Sequence, residues 1–274
     1  MFDTVIEMLS YPFMTRAFLV GSLVALCSAL LGVSLVLKRY SMIGDGLSHV
    51  GFGAMAIAAA MNAAPLTVAI PVVIVAAILL LRISGNAKIK GDAAIALIST
   101  TSLAVGVMVI SLTTGMNTDV YNYMFGSILA MSAEDVKLSL VLSVFVLILF
   151  IVFYHKIFAI TFDETFARAT GVKAGVYNTL IAVLTAVTIV LGMRMMGALL
   201  ISSLIIFPAL TSMRVCRTFK SVIINAAVIS VVCLIAGVTL SYVAVTPAGA
   251  SVVLANLVMM VLYTIVGAVK NHMR

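Results

Sequence analysis

The chain has 274 residues, of which 64% are hydrophobic and 9% are charged, and its formal net charge is +7. Soluble domains usually carry about 25% charged residues, so this composition excludes an ordinary soluble protein and indicates an all-α, polytopic membrane protein. The basic residues lie between apolar runs. We therefore interpret their excess as a determinant of membrane topology and expect no nucleic-acid partner.

Continuous apolar runs predict about nine transmembrane helices, within a range of roughly eight to ten, in one transmembrane domain over residues 1–274. The predicted spans lie near residues 17–37, 44–61, 66–83, 93–112, 136–155, 175–192, 195–213, 221–241 and 249–269. The apolar stretch at 120–131 is too short to cross a bilayer and is predicted to be a re-entrant or interfacial segment. No GxxxxGK[ST] phosphate loop occurs, so ATP hydrolysis is not expected in this chain.

The basic residues are distributed as expected for alternating spans. If residues 38–43 face the cytoplasm, all but three of the 16 Lys and Arg residues fall on the cytoplasmic side. The exceptions are Arg16, Lys137 and Arg194. This distribution predicts an N-terminus outside the cell and a C-terminus inside it.

Asp45 and His49 are the most polar pair inside an apolar run. Their spacing of four residues places both side chains on one face of a helix, and ionisable groups at membrane depth usually mark a functional site. A carboxylate and an imidazole suit a divalent transition metal, but two ligands do not close a site. A homodimer with the pair facing its axis would supply four. The pair could instead stabilise helix packing, or lie partly hydrated near the cytoplasmic interface.

Two serines, Ser41 and Ser48, are candidate hydrogen-bond partners for this pair because they lie within a turn or so of it along the chain. Hydroxyl groups are common in membrane helices, so this prediction rests on proximity in sequence alone.

Residues 161–172 predict a short amphipathic helix on the side of the basic loops. Asp163 or Thr161 can cap its start, and Gly171 can end it. Apolar side chains recur at helical spacing at Phe162, Phe166 and Ala169. Such a helix can lie on lipid or dock to a cytoplasmic partner, and the pattern alone does not choose between these interpretations.

Pro208 lies inside the apolar run 196–211. Proline removes a backbone hydrogen-bond donor, so we predict that it kinks or breaks the helix. Broken membrane helices are tolerated where they are buried in protein or line a cavity.

Four stretches together resemble the membrane permease subunit of bacterial zinc/manganese/iron-type ABC importers. Residues 44–49 match a Gly-Asp-Ala/Gly-Leu-Ser-His segment of that family. Three further family segments follow in the same order as in the family: Phe162, Asp163, Ala167 and Gly171; Gly197, Leu199, Leu200, Leu204, Ile205, Pro208 and Ala209; and Pro247 with Gly249. The likeness runs from about residue 16 to about residue 268.

The resemblance implies a type II ABC importer-like fold in the bacterial cytoplasmic membrane, with Asp45 and His49 as pore ligands for a transported zinc, manganese or iron ion. It implies a homodimer in lipid, a dimer of cytoplasmic ATP-binding subunits and an extracytoplasmic metal-binding protein, with no tightly bound cofactor. It also assigns contact with the ATPase to the segment that contains Phe162, Asp163, Phe166, Arg168 and Gly171.

The alternative function is an ion-coupled secondary metal carrier that works without an ATPase. Such a carrier needs acidic residues within its spans to bind the coupling ion, and Asp45 is the clear candidate.

Overall fold

The computed structural model describes residues 10–84, 91–113, 126 and 132–272, and in these residues the regular secondary structure is entirely helical. The helices in chain order are α1 (Pro12–Leu37), α2 (Ile43–Ala60), α3 (Pro65–Ser84), α4 (Gly91–Thr113), α5 (Ala133–Val152), α6 (Tyr154–Phe162), α7 (Glu164–Ala169), α8 (Ala174–Met196), α9 (Ala198–Met213), α10 (Phe219–Ala244) and α11 (Ala248–His272). The prediction of an all-α polytopic protein is confirmed.

Nine of these helices correspond to the nine predicted spans. Eight are long and apolar enough to cross a membrane, namely α1 to α5, α8, α10 and α11. The ninth, α9, has 16 residues and is joined to α8 by the single residue Gly197. Apart from Gly126, the predicted re-entrant segment at 120–131 lies outside the described residues.

The region between α5 and α8 differs from the sequence prediction. The predicted span at 136–155 ends earlier as α5, and the chain continues as α6, which we did not expect. The predicted helix over 161–172 is shorter, because Asp163 has an extended backbone (φ −147°) that separates α6 from α7. Asp163 therefore caps a helix of six residues.

Helix α1 is central to the bundle and packs against α5, α8, α9 and α10. Its closest approach is to α9, where a β-carbon added to Gly32 would lie 2.0 Å from the carbonyl oxygen of Ile205. The absence of a side chain at Gly32 therefore lets the two helix backbones touch. Helix α9 continues through Pro208 to Met213, so the proline does not break it.

Helix α2 is enclosed by α3, α4, α8 and α9. It lies closest to α4, where a β-carbon on Gly53 would lie 2.7 Å from the carbonyl oxygen of Ser102. Small residues along α2 make this enclosure possible, as is usual where membrane helices pack tightly. The enclosure determines which side of α2 remains open.

Polar contacts join the helix connections at both ends of the bundle. At one end Lys38, which follows α1, lies 3.2 Å from Glu164 of α7. At the other end Arg194 of α8 lies 3.6 Å from Asp135 of α5. Each ion pair therefore joins two segments that the predicted topology places on the same side of the membrane.

Replacing Gly32 with alanine is expected to destabilise the protein, because the added methyl group would overlap the backbone of α9. Overpacking of this kind usually costs about 1–3 kcal/mol. Gly175→Ala is the matched control, since nothing lies within 4 Å of an added β-carbon there. Both changes gain similar helix propensity. The measurement is the monodisperse fraction after heating in detergent, and equal stability of the two variants would contradict the close α1–α9 approach.

Candidate metal site

Asp45 and His49 lie in the first two turns of α2, and their side chains converge. The Nε2 atom of His49 is 3.7 Å from Oδ2 of Asp45. Zinc binds nitrogen and oxygen ligands at about 2.1 Å, so two atoms that share one ion can be at most about 4.2 Å apart. The observed separation therefore allows both side chains to bind the same ion.

The pair occupies the open side of an otherwise buried helix. From Ile43 to Ala58, every residue of α2 is buried except Asp45, His49 and Ile57. These three lie at positions i, i+4 and i+12, on one i±4 row that runs at an incline around the helix. The Asp45 side chain is 45% exposed and that of His49 is 23% exposed. A single copy of the chain therefore presents its carboxylate and imidazole outward.

Contacts with α9 place the pair away from the helix ends of the bundle. A β-carbon on Gly44 would lie 3.1 Å from the side chain of Ile205, which is in the middle of α9. The hydroxyl of Ser202 lies 3.4 Å from Oδ1 of Asp45 and 3.2 Å from the backbone carbonyl oxygen of Ala198, and these two acceptors share its single proton. The start of α2 is thus level with the interior turns of α9.

Ser202 is a functional candidate that the sequence did not reveal. It lies 157 positions from Asp45 in the chain. The hydroxyl of Ser48, which we predicted as a partner, instead donates to the backbone carbonyl of Asp45 at 2.7 Å. The carboxylate therefore contacts a hydroxyl of α9 as well as His49 of its own helix.

The described residues hold no group of three or more His, Cys, Asp or Glu side chains that could bind a metal ion. Within that part of the chain, Asp45 and His49 have no third protein ligand of these types. A closed site for a transition metal needs about four to six donors, so one chain supplies only part of it.

The second candidate region is α7. The carboxylate of Asp163 accepts a hydrogen bond from the backbone N–H of Phe166 at 2.9 Å, which caps the start of the helix as predicted. Gly171 follows the helix with φ +84°. The N–H of Gly171 donates to the carbonyl of Arg168, and the N–H of Val172 donates to that of Ala167. These two bonds form a Schellman motif, which confirms Gly171 as the terminating residue.

Phe162 of α6 and Phe166 of α7 face away from the bundle. Phe162 and Phe166 are 60% and 65% exposed, whereas Ala167 is buried. Phe162 also packs against Phe158 and Phe219, with ring centroids 5.0 and 5.7 Å away. The outward surface formed by Phe162, Phe166 and Arg168 is therefore available to a partner or to lipid.

Glu164 connects α7 to the rest of the protein. Its carboxylate accepts hydrogen bonds from Asn178 at 3.0 Å, from Arg168 at 2.6 Å and from Lys38 at 3.2 Å. Burial by itself raises the pKa of Glu164, but these donors and the positive charge of Lys38 outweigh it and lower the pKa to about 2. The carboxylate is therefore ionised throughout the physiological range.

Comparison with known proteins shows what this architecture is similar to. The model of the ABC 3 transport family matches residues 10–267. The high-affinity zinc uptake system membrane protein ZnuB of Haemophilus influenzae is 30% identical over 246 residues, covering 90% of this chain and 94% of that protein. The manganese transport system membrane protein MntC of Halalkalibacterium halodurans is 28% identical over 248 residues, covering 90% and 85%.

A solved structure shows the same fold. PsaBC from Streptococcus pneumoniae in complex with Fab superimposes with a TM-score of 0.86 at 27% identity, covering 96% of this chain and 95% of that one. The helical bundle, with its polar pair on an enclosed helix, is that of a multi-pass membrane permease. The chain belongs to the ABC 3 transport family, as a permease subunit of a metal-transporting ABC system.

We expect the stabilisation that Glu164 provides to change with pH between about pH 4.5 and pH 2. Because its pKa is lowered from 4.5 to about 2, the stabilisation is present above pH 4.5 and lost as the pH falls toward 2. The melting temperature of Glu164→Gln should therefore lie below that of the wild type by a constant amount from pH 5 to 8, and the difference should shrink below pH 4.5. Glu134→Gln, an exposed acid on α5, is the control. A difference that grows at low pH would contradict the assignment.

Proposed function

We propose that two copies of this chain form the pore of an importer for divalent transition-metal ions. The Asp45 and His49 side chains of both copies bind the ion during its passage. An extracytoplasmic metal-binding protein delivers the ion, and separate cytoplasmic subunits hydrolyse ATP. The substrate is Zn²⁺, Mn²⁺ or Fe²⁺, all of which accept carboxylate and imidazole ligands.

The proposed function rests mainly on the open position of Asp45 and His49 on α2. In an apolar bundle, a carboxylate that is 45% exposed needs a polar environment, because charge facing lipid is costly. A second copy facing the first would place two carboxylates and two imidazoles around a shared conduit. This arrangement would bring the number of protein ligands to four, enough for a tetrahedral site.

The chemistry of passage follows from this ligand set. The two carboxylates compensate the charge of the ion, and the donors from both copies replace part of its water shell. Affinity at the site must stay moderate, because an ion that binds too tightly cannot leave. The hydrogen bond from Ser202 restrains the Asp45 carboxylate in the orientation required for binding.

In this proposal, the ATP-binding subunit acts on the permease through α7. Phe162 and Phe166 form an exposed apolar surface at the end of the bundle that carries the cytoplasmic connections, and Arg168 beside them is 65% exposed. We assign this surface to docking of the ATP-binding subunit. ATP binding and hydrolysis there shift the permease between outward-facing and inward-facing states.

Asp45→Ala and His49→Ala are each expected to lower the initial rate of Zn²⁺ or Mn²⁺ uptake by at least about tenfold, because the ion loses a direct ligand. Ser202→Ala should cause a smaller loss, since it removes only a hydrogen bond to the carboxylate. The measurement is radiolabelled metal uptake by proteoliposomes that contain the complete transporter.

Two controls make this test specific. Ile57→Ala changes another unburied residue on the same row of α2, and Ser203→Ala removes a neighbouring hydroxyl that bonds only to the backbone of Leu200. Both should transport normally. Co-purification of the subunits must be unchanged in every variant, and normal uptake by both Asp45→Ala and His49→Ala would refute the ligand assignment.

Phe162→Ala combined with Phe166→Ala is expected to reduce the amount of ATP-binding subunit that co-purifies with the permease, because the apolar docking surface is lost. Phe145→Ala is the control, since Phe145 is comparably exposed but lies within the α5 span. If co-purification is unchanged while membrane partitioning of the α6–α7 region falls, these side chains contact lipid and the docking assignment is wrong.

A further inference from the structure

A partly buried polar cluster joins α7 to the connection that leads into α2, the helix that carries Asp45 and His49. The cluster consists of Lys38, Glu164 and Asn178, which we call the Lys38 cluster. Lys38 donates hydrogen bonds to both Glu164 and Asn178, and Asn178 donates to Glu164 at 3.0 Å. Each residue therefore contacts the other two, and together they connect the end of α1, the start of α7 and the start of α8.

The connection from this cluster to the metal ligands is short and rigid. Lys38 directly follows α1, and only residues 38–42 separate α1 from α2. Arg39 has a left-handed backbone (φ 62°), and the N–H of Tyr40 donates to the carbonyl of Leu35 at 2.8 Å. This geometry is a Schellman motif that continues almost directly into α2. Asp45 follows Lys38 by seven positions.

Glu164 is the ion-pair partner that compensates the buried charge of Lys38. The Lys38 side chain is 11% exposed, and burial lowers the pKa of its ammonium group. Among the described residues, the acid within ion-pair distance of Lys38 is Glu164. A buried ammonium that loses its partner is strongly disfavoured, so Lys38 must follow Glu164 if α7 moves.

Helix α7 has few other attachments to the bundle. It has six residues, and among them Ala167 is buried while the side chains of Thr165, Phe166, Arg168 and Ala169 are exposed. A force applied to its outward surface therefore acts on the bundle mainly through Glu164.

We propose that Glu164 is a positioning residue that transmits displacement of α7 to α2 through Lys38 and Asn178, so that ATP hydrolysis is coupled to movement of the Asp45/His49 pair. This inference rests on the proposed function, because it concerns how energy reaches the metal site. It assigns to Lys38, Glu164 and Asn178 a role that differs from both metal binding and docking of the ATPase.

The test compares metal transport with ATP hydrolysis in the complete transporter, purified with its ATP-binding subunit and reconstituted in proteoliposomes. Glu164→Gln and Lys38→Met are expected to keep the ATP-binding subunit bound and hydrolysis within about twofold of the wild type. The Mn²⁺ or Zn²⁺ moved per ATP should fall by at least about fivefold, the scale of a typical coupling free energy.

Lys173→Met is the matched control for Lys38→Met, because Lys173 is an exposed lysine directly before α8 and is not part of the Lys38 cluster. It should leave the transport ratio near that of the wild type. The double variant Lys38→Met with Glu164→Gln removes both charges and therefore leaves no unpaired buried ammonium. It should be as stable as the wild type yet remain uncoupled.

Three outcomes would overturn the inference. A normal transport ratio in Glu164→Gln would remove the positioning role. Restored coupling in the double variant would show that the cluster only compensates a buried charge. Loss of ATP-binding subunit in proportion to loss of transport would make Glu164 a docking residue. If the wild-type complex hydrolyses ATP but moves neither metal, the proposed function itself fails, independently of the Lys38 cluster.

Discussion

The structure depends on the close enclosure of α2. Three sides of this helix contact α3, α4, α8 and α9 through small residues, and at Gly53 the α4 backbone is near enough to exclude any side chain. Because the enclosed sides leave no room for a charged side chain, the carboxylate and the imidazole lie on the open side, where Asp45 and His49 are found. Tight packing of an apolar helix thus determines where charge can be placed in the bundle.

That placement leaves each chain with part of a metal site. Two convergent donors separated by 3.7 Å can bind one ion but cannot complete its coordination, and the described residues provide no further ligand of the usual types. Under the proposed function, the donors of a second copy would complete the coordination of the ion. The contact of Ser202 with the carboxylate links the site to α9, the shortest of the apolar helices.

Polar groups at the ends of the bundle connect distant segments. Lys38 and Glu164 pair at one end and Asp135 and Arg194 at the other, so each end has ionic contacts between helices while the interior has mainly apolar ones. Buried ion pairs contribute little net stability but strongly disfavour separation of their partners. The first pair connects α7 to the segment between α1 and α2.

Much of this protein follows from local sequence. Long apolar runs must be helical in a bilayer, so the nine helical segments could be predicted, and Asp163 and Gly171 were identified as the ends of α7 because capping depends on neighbouring residues. Asp45 and His49 stood out because polar residues four apart in an apolar run share a helix face. Tertiary packing decided the features that the sequence did not reveal. These are the partners Ser202 and Asn178, the shortness of α9, the separate helix α6 and the outward orientation of the Asp45/His49 pair. They depend on contacts between residues more than a hundred positions apart, or on which helix faces are covered, and no local pattern encodes either.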